Sequence, residues 1–330
     1  MIKRSERPLL SFTIPTYNRA SDLRTLLDML LDQLQHESRV EVIVSDNAST
    51  DDTAAVVREV ADRGLVLRYL RNEANLGPDA NILQCYEQAT GKYIWLFGDD
   101  DVIAPGTIRR VLAAVEAQEY DLIAINSYSF EGRYTGHRKF TPRSDLVFTR
   151  AEDLAWHMHV FMTFLSGFVV NKERADSLPH EPFDRLLNSC FLQLGPRLTL
   201  MNHHRRSLFI RDPLIAASSN TSVSYALYRV FGANLASITR RWLSSQHAQR
   251  SILNSTIRTL FPFWLIRERF KPHKGNGESP FAILNGSFAR NPRLWFFAYP
   301  VYALPLPVAR LWLFAIRIAN KTTRLTGLPW

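Results

Sequence analysis

One feature constrains this 330-residue chain above all others: an alternation of two periodicities that fills its first 126 residues. Apolar runs at 9–14, 40–45, 65–70, 93–97 and 122–126 read as strands. Helical spacing lies between them. It begins at Ser21, with Leu23, Leu26, Leu27, Leu30, Leu31 and Leu34 on one face, and resumes at 53–63, 78–89 and 105–118. Such repetition requires crossover connections, so it predicts an α/β fold: a mostly parallel sheet with helices on both faces. Ligands of such sheets bind beyond the carboxyl ends of the strands. After Asn126 the pattern loosens. Residues 127–150 suit a hairpin or long loop. Beyond them come a helix near 152–160, a strand near 165–170, a helix near 183–193 and a strand near 207–211. From residue 222 onward the chain reads as helices rich in Arg and aromatics.

The chemically pointed residues of the first half cluster at strand ends. They are Pro15-Thr16-Tyr17-Asn18-Arg19, then Ser45 to Asp51, then Asn72-Glu73-Ala74-Asn75-Leu76-Gly77, and Gly98-Asp99-Asp100-Asp101 with Pro105 following. Three adjacent aspartates behind an apolar strand repel one another in a partly desolvated place. A divalent cation relieves that repulsion, and carboxylates with phosphate oxygens are what Mg²⁺ or Mn²⁺ prefers. The plainer reading is capping of the helix near Pro105, where one Asp suffices. Two cysteines, Cys85 and Cys190, exclude a disulfide framework and a Cys-based zinc site, and Cys85 reads as core. His157 and His159, or His203 and His204, are poorly spaced for a metal on a helix. No GxGxxG follows the first strand, which disfavours a nicotinamide-dependent dehydrogenase.

With their order and spacing, PTYNR, SDNASTDDT, RNEANLG and GKYIWLFGDDD resemble glycosyltransferase family 2. The resemblance covers residues 8–126 closely and 127–212 loosely. Gly77-Pro78-Asp79-Ala80-Asn81-Ile82 and Gly98-Asp99-Asp100-Asp101 are similar to the abequosyltransferase-like branch, which is implicated in bacterial O-antigen synthesis. The resemblance implies a GT-A fold, a nucleotide-sugar donor, Mg²⁺ or Mn²⁺, and inversion at the sugar; its narrower branch implies a CDP-dideoxyhexose as that donor. It implies that Pro15, Tyr17 and Arg19 line the nucleotide pocket and that Asp46 binds base or ribose. Asn47, Asn75, Gly77 and Asp79 would complete the donor site. Aligned on Pro105, Gly98 stands where the family's first Asp usually is. That departure leaves Asp100 as the main metal ligand with Asp101 beside it, and Asp99 near the ribose or just behind the metal's ligands. The family's general base is a downstream carboxylate, here one of Glu152, Asp153, Glu173, Asp176, Glu181, Asp184 and Asp212. Asp184 is preferred, just before the expected helix Arg185–Leu194, whose start favours an ionised carboxylate, with Glu181 second. Capping by Asp184 is the plain alternative. Ser166 and Gly167 suit an acceptor wall or a strand bend.

Charge divides the chain. Residues 1–150 hold 18 Lys+Arg and 22 Asp+Glu, whereas residues 213–330 hold 15 and 2. The last third therefore carries the basic excess behind the net charge of +9. The stretch 294–316 mixes aromatics with Pro300, Pro305 and Pro307, which argue against one straight spanning helix. After Pro307, Arg310, Arg317, Lys321 and Arg324 recur near one helical face. The expectation is a GT-A domain at 1–212, with a nucleotide-sugar half at 1–126 and an acceptor half at 127–212. A helical, basic and aromatic extension at 213–330 would meet an anionic membrane surface. The short apolar run at 9–14 does not make a signal peptide. The expected location is thus the cytoplasmic face of the inner membrane, peripheral or monotopic, with a lipid-linked or glycan acceptor. Alternatives are a nucleic-acid-binding protein, for which no motif is present and no nucleic acid is expected, or a degenerate membrane scaffold.

Overall fold

A computed structural model describes residues 7–219, 227–270 and 279–326, with side chains through Lys321. The chain divides into two compact units, one of Met1–Arg150 with Thr163–Thr221 and one of Ala151–Met162 with Ser222–Trp330. The first unit extends past residue 212, because its last strand runs on to Ser218.

In the first unit the strands are β1 (Leu10–Thr16), β2 (Val40–Asp46), β3 (Arg68–Arg71), β4 (Tyr93–Leu96), β5 (Val102–Ile103), β6 (Leu122–Phe130), β7 (Leu146–Phe148), β8 (Phe168–Asn171) and β9 (Ser207–Ser218). The helices are α1 (Ala20–Leu34), α2 (Thr53–Asp62), α3 (Pro78–Gln88) and α4 (Thr107–Ala117); α5 (Ala151–Met158) belongs to the second unit; α6 (Lys172–Ser177) and α7 (Leu194–Asn202) complete the first. The sheet order is β3-β2-β1-β4-β8-β6-β9-β5, with β7 also on β9. The first four strands are parallel, as the alternation requires, and β8 is antiparallel to both β4 and β6.

Period-two alternation sorts the central strands. Leu10, Phe12, Ile14, Val40, Val42, Val44, Tyr93, Trp95 and Phe97 pack with Leu23, Leu26, Leu27 and Leu30 of α1 and with the apolar faces of α2 and α4. Phe12, Trp95 and Phe97 form a ring cluster with centroids 5.0–5.3 Å apart. The intervening residues meet α3, where Ser45 Oγ donates to Asn81 Oδ1 at 2.6 Å. Burial on both sides explains why these strands read as unbroken apolar runs.

Three expectations need correction. The third strand is Arg68–Arg71 rather than 65–70, and Val66 is exposed: a strand at the sheet edge leaves a weaker apolar signature. The strand expected at 207–211 continues to Ser218 through an irregularity where Pro213 faces Asn126 of β6, the usual tolerance for proline in a sheet. The helix expected at 183–193 is absent. A 3₁₀ turn, Phe183–Leu186, is followed by Asn188 and Cys190 at positive φ, and the α-helix begins only at Leu194.

In the second unit, α5 is followed by α8 (Leu235–Trp242), α9 (Gln246–Thr259), α10 (Phe261–Phe270), α11 (Pro280–Phe288), α12 (Tyr299–Ala303) and α13 (Leu306–Thr326). Ser245 Oγ accepts from Ala248 N–H to cap α9, and donates to Glu152 of α5 at 2.7 Å. Among the described residues no helix is long and apolar enough to cross a membrane.

Candidate active site

Parallel neighbours end at matching heights: Thr16 of β1 pairs with Asp46 of β2, and Thr13 with Leu96 of β4. The loops beyond these ends are joined by side-chain caps. Asn18, at φ +51°, accepts from Thr50 N–H at 2.7 Å, and its own N–H donates to Ser49 Oγ at 2.9 Å. Asp51 Oδ2 accepts from Ala20 N–H at 2.9 Å, satisfying a donor at the start of α1. Tyr17 stays exposed beside this junction.

The third loop is tied to the second by Asn47. Its amide donates to Asn75 Oδ1 (2.8 Å) and Gly77 O (3.1 Å), while its carbonyl oxygen accepts from Asn72 Nδ2 (3.0 Å) and Leu76 N–H (2.9 Å). Gly77, at φ +86°, lets the chain turn into Pro78 at the start of α3. Asp46 is fully buried, and it accepts from Ser49 N–H at 2.8 Å and from the Tyr69 hydroxyl at 2.5 Å. The phenol is correspondingly held protonated, by burial first and by this carboxylate second. Tyr69 was not legible as a site residue, since nothing in its local sequence marks its partner.

The aspartate cluster is built around Arg19. Its Nη1 donates to Asp99 Oδ1 at 3.2 Å and to Asp100 Oδ2 at 2.6 Å. Asp101, expected as a metal ligand, is occupied otherwise: Oδ2 accepts from Ser166 Oγ at 2.5 Å and Oδ1 from Ser218 N–H at 2.9 Å. Ser166 is fully buried. It also accepts from Gly98 N–H at 2.9 Å, and its carbonyl takes the Trp95 indole N–H at 2.7 Å. It is therefore neither an acceptor wall nor a simple bend but the lock between β4, β8 and the cluster. A Cβ on Gly98 would lie 3.3 Å from Asp100 Oδ1 and Asp101 Oδ2 and 3.4 Å from Ser166 Oγ. A side chain at position 98 would therefore sit in tight contact with both carboxylates and in ordinary contact with the Ser166 hydroxyl.

Burial pushes Asp99 up to about 7, with Arg19 pulling it back and Asp100 raising it further. Burial likewise pushes Asp101 up to about 7, reinforced by the Asp100 charge and opposed by Ser166 and Ser218. Such a carboxyl stabilises the fold in its protonated form. That contribution is complete below the unfolded value near 3.8 and is lost as pH rises through about 7. The metal-free protein is thus expected to lose about 2 kcal/mol, a few degrees of Tm, between about pH 6 and pH 8. Asp101→Asn should roughly halve that slope in thermal melts run in chelator, since Asp99 keeps its share, and an unchanged slope would refute the assignment.

Among the described residues no group of three or more His, Cys, Asp and Glu side chains is arranged to hold a metal. A Mg²⁺ or Mn²⁺ site completed by substrate phosphates needs only one or two carboxylates. Asp100, with Asp99 next to it, fits that requirement, and Arg19 now supplies the positive charge there.

Asp79 does not join the donor-side network. Buried in the first turn of α3, it accepts from Cys190 N–H at 2.8 Å and from Leu192 N–H at 3.4 Å. These are backbone donors that an uninterrupted 183–193 helix would use internally. Asp184 is exposed on the 3₁₀ turn, so it gains no α-helix dipole. Its carboxylate makes no hydrogen bond or ion pair among the described residues, whereas Glu181 pairs with Arg185 at 2.9 Å. Phe183 of the same turn packs so closely on α7 that a Cβ at Gly195 would lie 2.6 Å from its ring.

The family model for glycosyl transferase family 2 matches residues 11–175. Over 188 residues the chain is 30% identical to abequosyltransferase RfbV of Salmonella typhimurium, covering 52% of this chain and 55% of that protein. Over 108 residues it is 31% identical to the GalNAc(5)-diNAcBac-PP-undecaprenol beta-1,3-glucosyltransferase of Campylobacter jejuni, covering 32% and 34%. The chain thus spans about half, or less, of the length of these curated relatives. The crystal structure of S. aureus TarS 1–349 in complex with UDP-GlcNAc superposes with a TM-score of 0.64 at 18% identity, covering 96% of this chain and 92% of that one. The mannosyltransferase PcManGT from Pyrobaculum calidifontis, in complex with GDP-Man and Mn²⁺, gives 0.56 at 16%, covering 95% and 87%. At such identities these likenesses establish the shared GT-A fold.

Proposed function

The chain belongs to glycosyltransferase family 2, and from that premise we propose that it transfers a sugar, with inversion, from a nucleotide-diphosphate sugar to a glycan acceptor carried on a lipid. We assign the chemistry to residues 1–212 and membrane association to 213–330. The observation that carries the proposal is the Arg19–Asp99–Asp100 cluster, one carboxylate of which is only partly covered, beside strand-end loops interlocked by Asn18, Asn47 and Asp51. Loops so fixed hold a ligand site without reorganisation. A bound Mg²⁺ or Mn²⁺ would offset the charge that grows on the leaving diphosphate. Asp100 is the residue to hold it, with Asp99 alongside. Arg19, released from Asp100, keeps a guanidinium beside the same phosphates. Pro15, Tyr17, Asp46, Asn47, Asn75 and Gly77 shape the nucleoside side of the cleft. Asp184 is our choice to take the acceptor proton, with Glu181 second.

The relatives support this reading through their own names. RfbV is an abequosyltransferase, and the Campylobacter enzyme acts on a polyprenol-linked glycan. A CDP-dideoxyhexose donor, an O-antigen-type product and a place at the cytoplasmic face of the inner membrane are parts of the proposal. Calorimetry with UDP, CDP, GDP and dTDP, with and without Mn²⁺, tests it. One nucleotide is expected to bind at least about tenfold more tightly with Mn²⁺, an advantage lost in Asp100→Asn. Folded protein that binds none of the four would remove the transferase reading.

A further inference from the structure

Helix α13 presents three distinct faces. Ala309, Leu313 and Ile316 are buried. Val308, Leu311 and Phe314, spaced three residues apart along one side, are exposed, Leu311 at 70% and Phe314 at 62%. Phe296 extends this apolar stripe, since it is exposed and packs edge-on against Trp312 of α13 at 5.1 Å. Arg310 and Arg317, two turns apart, occupy the third face. They lie over the rings of Phe270 (4.7 Å) and Phe263 (5.3 Å) of α10. Cation–π contact holds each guanidinium at the flank of the stripe rather than across it.

We propose that this surface seats the chain on an anionic lipid bilayer: Phe296, Val308, Leu311 and Phe314 enter the headgroup boundary, and Arg310 and Arg317 meet lipid phosphates. Large exposed apolar side chains bordered by fixed cations match that boundary in both polarity and charge. The surrounding segment has 15 basic residues against 2 acidic ones, so the complementarity extends beyond the helix. Among the described residues no helix is long and apolar enough to cross a membrane, and the proposed contact is an interfacial one. The inference deepens the membrane-linked acceptor reading and rests on it for its purpose.

The test uses the full chain, sedimented with vesicles of phosphatidylcholine alone or mixed with phosphatidylglycerol, with nucleotide binding measured on the same samples. Anionic vesicles should bind at least about tenfold better than neutral ones. Leu311→Glu with Phe314→Glu should lower partitioning about tenfold or more at any salt. Arg310→Gln and Arg317→Gln should each cost about fivefold, an effect that fades at high salt. If the glutamate pair does not fold, Leu311→Ser with Phe314→Ser takes its place. Glutamate or serine variants that bind like wild type overturn the proposal. So does a wild-type dimer, seen by light scattering and dissolved by the same variants, or DNA binding without vesicle binding. Lost vesicle binding with nucleotide binding intact removes this surface alone; the converse removes the transferase reading alone.

Discussion

Asp100→Asn is expected to lower turnover by about 10²–10³-fold while leaving Tm unchanged or slightly higher. The two halves of that expectation have one cause. Asp100 lies between Asp99 and Asp101, and its charge raises both neighbours above the usual carboxylate range after burial has done so. Removing the charge relieves that repulsion. Arg19 keeps its contact with Asp99 at 3.2 Å, so the guanidinium is not stranded. The fold therefore loses little, whereas the carboxylate best placed to hold a cation against a diphosphate is gone. Opposed effects on stability and function are the usual mark of a group kept for chemistry. Initial rates with the nucleotide-sugar identified by calorimetry, and melts in chelator, measure the two. A variant with full turnover would dismiss Asp100 as the metal anchor. A large drop in Tm would recast it as a structural residue.

Asp79→Ala should do the reverse, costing about 3 kcal/mol of stability. The wild-type carboxylate is the acceptor for Cys190 N–H and Leu192 N–H, and it bridges 111 residues of sequence to do so. Without it, two donors in a largely covered loop lose their partner. Asn188 and Cys190, non-glycine residues at φ +64°, lose the restraint that keeps them there. The loop follows directly on the turn bearing Asp184. Turnover is accordingly expected to fall while KM for the donor stays within about twofold, because among the described residues no hydrogen bond joins Asp79 to the Asn47 network. Asp79→Asn, which keeps one acceptor oxygen, should show a smaller version of both losses. A rise in donor KM with stability intact would instead return Asp79 to the nucleotide pocket, where the family resemblance had assigned it. Chemical unfolding and steady-state kinetics separate the outcomes.

Much of the first unit was legible because its signals are local. β1, β2 and β4 announce themselves as apolar runs, since sheet neighbours and helices cover both their faces. α1 and α4 announce themselves through the spacing of residues that share a face. Gly106, at φ +78°, moves the start of α4 from the expected 105 to Thr107. The edge strand β3 starts three residues later than expected and ends one later, because partial burial blurs the pattern. The 183–193 segment differs in another way: Asn188 and Cys190 take positive φ, and the Cys190 N–H turns to a carboxylate 111 positions away.

Local sequence thus determined that the chain builds parallel strands and crossover helices, that four polar loops follow those strands, and that the last third is basic and amphipathic. Those properties depend on residues within a turn or two of one another. Tertiary structure alone decided which polar groups meet. Arg19 reaches Asp100 across 81 positions, and Ser166 reaches Asp101 across 65. It also decided which apolar residues of α13 are buried and which face outward. Hydrogen bonds and packing between distant segments have no period, so nothing short of the folded chain records them.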